Sequence, residues 1–453
     1  MLRDKINKIF LFLIKNKYLI LITFLALFLR LYNLPNSINF SWDQERDAFV
    51  VKQILIEKKP VLIGPRVVDD QGFMLGPYFF YILAPFYLIT NLNPFATILF
   101  IAFYTLLFTI SSFFILKKIF SQKIAHIFIF IWSILPMAIT IDTISWNPLL
   151  VPFLFIFLLY LLNVLDLKKI KNLIILGFYL GFSFNIHVQL IILTFISFIF
   201  LINKKNILKN ILYTILGFLI SFLPLLIFDL RHNFINLNLF LNFFGSTSSI
   251  KNPFAFLPVW TNYVSALTII KSNFLSILFW FIFALILFIF SKKNKFNKLF
   301  FFTWLFFPII FIFYGKRPSE YYFNFSLPII ILVLSQIIVN LKINSKILSI
   351  LLFLLIFTSI SNRLKENNIS SLSLANKIKV VKYIGQVTNN EKFNISYSVP
   401  IGQNNGYSYL MDYFKIKPTG DPKDPLIEII IPGQENYPTF NGISLKIPSS
   451  FNK

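Results

Sequence analysis

The sequence predicts an all-α polytopic membrane protein of about eleven spans with a small α/β unit at its C-terminal end. Composition is the first reason: of 453 residues 57% are hydrophobic and only 13% charged, against ~25% charged in a soluble globular chain. Phenylalanine alone contributes 59 residues. A soluble fold of this size exposes a large polar shell and cannot hide that much apolar surface. The second reason is pattern, because long apolar runs recur between clusters of lysine. The third is a change of character after residue 361, where charged residues, Asn, Gly and Pro return.

The same numbers exclude several classes. With no cysteine and three histidines, the chain offers neither a disulfide scaffold nor a thiolate or multi-His metal centre. A formal charge of +24 points to nucleic acid only if the cations form a recognition surface. Here they sit in short lysine clusters between apolar runs, so no nucleic-acid partner is expected.

A run must hold about 20 residues to cross a ~30 Å hydrocarbon core. The expected spans are 17–34, 94–116, 124–140, 148–165, 172–186, 188–202, 210–228, 272–290, 298–314, 323–340 and 346–361. The long run 172–202 is broken near His187, because the lysine clusters before and after it must then share one face. The expected inner segments and their flanks hold 20 Lys and Arg against two acids, Asp4 and Asp166. The bias of basic residues toward the cytoplasm therefore places the N-terminus inside and the tail outside, at the cell membrane. The first span carries no small-residue cleavage site after Arg30 and is expected to stay as an anchor. The segment 77–91, interrupted by Pro85, is too short to count as a span and reads as an interfacial or re-entrant helix with Tyr78, Tyr81 and Tyr87 at headgroup level.

This divides the chain into a membrane domain, 1–361, with a large first outer loop at 35–93, and an outer α/β domain, 362–453. Within the latter, 373–388 has an amphipathic helical pattern, while 392–398 and 425–431 read as strands.

Candidate chemistry concentrates in the first outer loop. Eleven acids precede the tail, and six of them, Asp43, Glu45, Asp47, Glu57, Asp69 and Asp70, fall in this loop. A solvated turn would not need Trp42, Arg46, Phe40 and Phe49 around those acids, and ionisable groups at a membrane boundary are functional by default. Asp43, Glu45 and Asp47 are the candidate catalytic carboxylates, with Asp43 a general base on an acceptor hydroxyl or amine. Trp42, Arg46, Asp69 and Asp70 complete the loop's candidate binding set. Arg231, Lys316 and Arg317 fall at outer ends of spans, where they can meet a phosphate or merely snorkel to lipid headgroups. His187 and Gln189 stand at an outer turn that either faces a sugar or caps the turn. Asp142 opens a Thr-Ser-Trp-Asn loop of sugar-binding composition. Tyr321 and Tyr322 follow the Lys316-Arg317 pair.

The run Trp42-Asp43-Gln44-Glu45-Arg46-Asp47-Ala48 after a first span resembles the GT-C glycosyltransferases, the group of the protein O-mannosyltransferases and lipid A aminoarabinose transferases. Ile63-Gly64-Pro65-Arg66 and Gly76-Pro77-Tyr78 resemble the loop's later proline motif, and Lys316-Arg317 with Tyr321-Tyr322 and Pro328 its late outer motif. The resemblance implies inverting transfer of a sugar from a polyprenyl-phosphate donor to an acceptor whose identity stays open, with Asp43 leading. This chain departs from the pattern near Met74, where a second acid is common, so Asp69 or Asp70 would replace it. No cofactor is expected to be required; a divalent metal on the acidic loop is the alternative, weighed against by Arg46 and Arg66 as counter-charges. A transporter or lipid-linked-glycan flippase is the reading from another class. It would place ionisable residues and broken helices at mid-membrane in two related halves, which this sequence does not show.

Overall fold

The computed structural model describes residues 15–67, 72–202, 206–245, 252–268, 271–340, 354, 356–361, 370–389 and 391–451. Helices dominate up to residue 340, and a small mixed sheet with two helices follows from residue 374.

Apolar helices occupy ten of the eleven expected spans, but few have the length for which a span was counted. Among the described residues four are long and apolar enough to cross a bilayer: Ala96–Ile119, Asn147–Val164, Asn273–Ser291 and Lys295–Tyr314. Two more qualify only as bent pairs. Gln122–Ile134 meets Pro136–Asp142 at 74°, and Ile207–Ile220 meets Leu223–Arg231 at 57°. The expectation of eleven spans is thus corrected to four, or up to six. The reason is physical. At 1.5 Å per residue the 12-residue helix Ile191–Ile202 reaches only ~18 Å, and a proline at the second helix of each bent pair removes a backbone donor and turns the chain. Hydropathy counts apolar residues and does not register such turns. Most of 346–361 lies outside the described residues. The segment near 77–91 forms the helix Tyr78–Ile89, with Pro85 inside it, also too short to cross.

Local sequence sets the helix ends. Ser121 accepts from the Ile124 amide at the start of Gln122–Ile134, and Asn294 from that of Phe296 at the start of Lys295–Tyr314, each satisfying an orphan donor. Lys117 and Lys118 close the last turn of Ala96–Ile119, where cations suit the helix dipole. The pair Ile170–Ile186 and Ile207–Ile220 packs through small residues, as membrane helices do when backbones approach closely. A Cβ on Gly177 would lie 1.9 Å from the Thr214 carbonyl oxygen, and one on Gly217 would lie 2.1 Å from that of Ile174.

Arg30, in the last turn of the first described helix, Lys17–Leu31, is fully buried. Its guanidinium donates from Nε to Asp142 at 2.7 Å and to the carbonyls of Ser133 and Trp132 at 3.0 Å. The Trp132 indole donates to the same carboxylate oxygen at 2.8 Å. A charge in this setting needs such a full set of partners. The cluster ties the first helix to the bend at Pro136 and so fixes where residues 143–150 emerge.

The C-terminal sheet runs β1-β2-β4-β3, with β1 (Asn394–Ser398) and β2 (Leu426–Ile430) parallel, and β3 (Thr439–Phe440) and β4 (Ile443–Lys446) antiparallel neighbours. Ile427, Ile429, Ile443 and Leu445 are buried together with Leu374, Val380 and Ile384 of the helix Leu374–Thr388. The helix and two strands stand where periodicity places them. The β3–β4 hairpin lies in a stretch too short and polar to signal strands.

Candidate functional site

The acidic loop folds as the helix Trp42–Ile56. A capping box starts it: the Ser41 amide donates to Gln44 Oε1 at 3.1 Å, so two ends of one turn satisfy each other. The first turn is then fixed from both sides. Gln44, buried, donates from Nε2 to the Ser145 carbonyl at 2.9 Å. Glu45 accepts the Tyr409 amide at 2.9 Å, in the C-terminal helix Tyr407–Tyr413, and an ion pair joins Lys52 to Asp412.

The approach to this helix is held too. Residues 36–40 pair with 370–374 through the bonds Ser370 N to Asn36 O (3.1 Å), Phe40 N to Leu372 O (3.3 Å) and Leu374 N to Ile38 O (2.9 Å). Buried Lys377 donates to the carbonyls of Phe40 at 2.9 Å and Asn405 at 2.6 Å. Burial lowers its pKa to about 8, against the upward pull of Glu45.

Arg46 ties the cluster together. It contacts Asp43 Oδ1 at 2.8 Å and donates twice to Asp47 Oδ1, at 2.9 and 2.6 Å. The two acids differ in setting. Asp43 stays over a third exposed at its side chain. Asp47 is 1% exposed, and its Oδ2 has no partner among the described residues. Burial pushes its carboxyl up to about 7, with Arg46 pulling down and Asp43 pushing up.

Asp43 stands where two cavities meet. The first, of about 250 Å³, collects Trp42, Arg46, Trp146, His187, Arg317 and the Tyr321–Tyr322 pair around it. Their rings form a box: Trp146 meets Tyr321 edge-on at 4.7 Å, His187 meets Tyr321 and Tyr322 edge-on at 5.5 and 5.3 Å, and the two tyrosines stack at 5.0 Å. His187 Nδ1 accepts from the Gln189 amide at 3.2 Å. Its proton therefore lies on Nε2, the nitrogen left to donate. Burial lowers its pKa to about 3, so the ring is neutral. Arg66 also lines this cavity. A short antiparallel ribbon presents it, closed by Val67 N to Phe73 O (2.9 Å) and Leu75 N to Pro65 O (3.0 Å), and its Nε donates to the Gly72 carbonyl at 2.7 Å.

Val67, Tyr314 and Tyr322 of this cavity also line an apolar one of about 680 Å³, walled chiefly by phenylalanines. On the other side, Asp43 and Trp146 also line a third cavity, of about 530 Å³, bounded by 34–44 and 136–146.

The structure thus gathers seven of the sequence's candidates, Trp42, Asp43, Arg46, His187, Arg317, Tyr321 and Tyr322, around one cavity. It does not bring the others there. Glu45 is engaged with the C-terminal unit and Asp142 with Arg30. Gln189 lines the apolar cavity, its carboxamide buried with no partner among the described residues. Arg231 is exposed at the end of its helix, and Lys316 lies over the Phe243 ring, 5.0 Å from its centroid. Asp69 and Asp70 lie outside the described residues. Sequence reasoning gave Arg66 only a counter-charge role, although its Gly-Pro-Arg run was a signal. Asn147, at the end of the sugar-type loop that Asp142 opens, donates to the Ile186 carbonyl at 2.7 Å and lines the cavity. Among the described residues no three His, Cys, Asp or Glu side chains converge as metal ligands.

The fold is that of a helical polytopic membrane protein with a polar chamber beside an apolar one. The family described as dolichyl-phosphate-mannose-protein mannosyltransferase matches residues 75–228. The fold is similar to that of ArnT from Cupriavidus metallidurans bound to undecaprenyl phosphate, at 10% identity over 92% of this chain and 93% of that one, with a TM-score of 0.57. For the apo state of the same protein the values are 11%, 95%, 94% and 0.52. No curated protein matches the sequence. The chain therefore has a GT-C-like membrane fold and resembles these lipid-linked sugar transferases.

The pKa of Asp47 has a consequence for stability. Its folded value, about 7, lies above the ordinary 3.8, so the folded state binds this proton more tightly than the unfolded chain does. That stabilisation is complete below 3.8 and is lost as pH rises through 7. Between pH 5 and 7.5 the thermal midpoint of the detergent-solubilised protein is expected to fall. In Asp47→Asn, which cannot ionise, that slope should flatten; an unchanged slope would assign it to another group.

Proposed function

We propose that this protein is a membrane glycosyltransferase that moves a sugar from a polyprenyl-phosphate-linked donor to an acceptor hydroxyl outside the cytoplasmic membrane. One observation carries the reading: Asp43 lines two cavities, one of which holds three arginines and shares Tyr314 and Tyr322 with an apolar groove. A polyprenyl phosphate has that shape and polarity, with an anionic head on a long hydrocarbon chain.

In the reaction the lipid lies in the phenylalanine-walled groove and its phosphate beside Arg317, with Arg46 and Arg66 on the same chamber wall. Guanidinium groups bind phosphate oxygens bidentately and stabilise the charge that develops there. The neutral His187 donates from Nε2 to the sugar or phosphate, and the aromatic box of Trp146, Tyr321 and Tyr322 excludes water. The acceptor oxygen attacks the anomeric carbon as Asp43 takes its proton. The bond from that carbon to the phosphate oxygen breaks, and its electron pair stays on the lipid phosphate. Attack opposite the leaving group inverts the anomeric centre. Arginines supply the cationic charge, so no resident metal is required in this reading.

Asp43 is assigned as the base over Asp47 because it is the exposed member of the pair and lines both cavities. A general base contributes typically 10²–10⁴-fold. Asp43→Asn is therefore expected to cut transfer by about that factor with undecaprenyl phosphate binding retained, measured on the reconstituted protein. Turnover near the native rate would remove Asp43 from the chemistry.

The orientation belongs to the same proposal, with the N-terminus cytoplasmic and the C-terminal unit outside. Because the chain has no cysteine, single introduced cysteines report it cleanly. A cysteine at Lys415 should react with an impermeant thiol reagent in intact cells, and one at Asn294 should not. The opposite pattern would overturn the orientation.

A further inference from the structure

Asp43 and Trp146 also line the 530 Å³ cavity on the far side from the arginines, and its chemistry is distinct. Its hydroxyls spend their protons on the protein. Thr140 donates to the Pro136 carbonyl at 3.1 Å and Thr143 to that of Ile139 at 2.9 Å. Ser37 donates to the Asn33 and Leu34 carbonyls at 3.4 Å, and Ser359 to that of Ile134. What these oxygens offer a ligand is lone pairs. The one ionisable side chain on the wall is the Asp43 carboxylate, and no Lys or Arg lines it among the described residues. A phosphate or carboxylate here would face acceptors and a negative charge with no cation to offset it, the donors on the wall being neutral ones such as the Asn39 carboxamide. A neutral molecule rich in O–H groups would find acceptors among Ser37, Thr140, Thr143 and Asp43, and its C–H faces would meet Leu34, Ile38, Ile139 and Ile144.

Two further features narrow the ligand. The indole N–H of Trp146 is buried with no partner among the described residues, at the boundary between the two chambers. The backbone of 36–40, which forms one wall, is already paired with 370–374. That leaves little strand edge for an extended peptide to join, although edge pairing is a common way to hold one.

Resting on the glycosyltransferase reading above, we infer that this cavity is the acceptor site and that the acceptor is a neutral, hydroxyl-rich sugar of a glycan, not a phosphorylated lipid. Its attacking hydroxyl reaches Asp43 from this side while the donor stands beside Arg317 on the other.

Equilibrium binding to the full chain in nanodiscs tests this. The probes are the neutral disaccharides of glucose, galactose, mannose and N-acetylglucosamine, a bisphosphorylated glucosamine disaccharide, a Ser/Thr hexapeptide and undecaprenyl phosphate. At least one neutral disaccharide is expected to bind. Thr143→Trp, which fills the chamber, should weaken it at least about tenfold with undecaprenyl phosphate affinity unchanged. The gentler Thr140→Val, which removes one accepting oxygen with little change of shape, should weaken it about threefold. Preference for the bisphosphorylated disaccharide or the peptide, or no binding of any neutral sugar, would overturn the inference while undecaprenyl phosphate binding left the transferase reading intact. Loss of undecaprenyl phosphate binding itself would instead count against that underlying reading.

Discussion

Everything proposed for this chain depends on the first turn of one helix being held from both sides. Gln44 fastens it to the Ser145 carbonyl in the membrane bundle, and the next residue, Glu45, to the Tyr409 amide of the C-terminal unit. Between these anchors the helix has no freedom to rotate, so Asp43 must face the junction of the cavities. A carboxylate acting as a base has to sit within hydrogen-bond reach of its proton, and a misplacement of about 1 Å can cost 10²-fold. The C-terminal unit is thus part of the site's framework. Its helix caps, its Lys377 bonds and its pairing with 36–40 all act on the approach to Trp42.

The same economy runs through the rest of the acidic cluster. Five residues, Asp43 to Asp47, do five jobs: one carboxylate faces the cavities, one amide and one carboxylate anchor, one arginine bridges, and one buried acid lies behind it. Arg46 is what makes the pairing of unlike acids workable. It compensates Asp47, which burial would otherwise protonate further, and pairs with Asp43 on the exposed side. The Arg30–Asp142 cluster serves the opposite wall, since it fixes the bend at Pro136 from which Trp146 and Asn147 emerge.

The first outer loop stood out in the sequence because an acid cluster flanked by Trp and aromatic residues is anomalous in so apolar a chain. The sequence could not divide the labour within that cluster. Glu45 and Asp43 look alike on the page, and what separates them is Tyr409, 364 positions away. Asp142 misled for a similar reason: its partner, Arg30, sits in an expected span, where a lone arginine was itself the signal that a buried acid must exist. The span count failed on geometry. Composition identifies apolar helices one by one, but bends of 74° and 57° and helices of a dozen residues are set by proline placement and by packing against neighbours. Arg66 reaches the chamber only because a ribbon closed by Phe73 and Leu75 turns it there, which spacing alone does not reveal.

The central claim is that donor phosphate and catalytic carboxylate share the chamber beneath Trp42. The most direct measurement is a structure of the full chain with undecaprenyl phosphate bound. The account predicts the phosphate within hydrogen-bond distance of Arg317, close to Asp43, with the first isoprene units among Phe184, Phe222 and Phe311. A phosphate held instead at Arg231 or Lys316, outside that chamber, would contradict it.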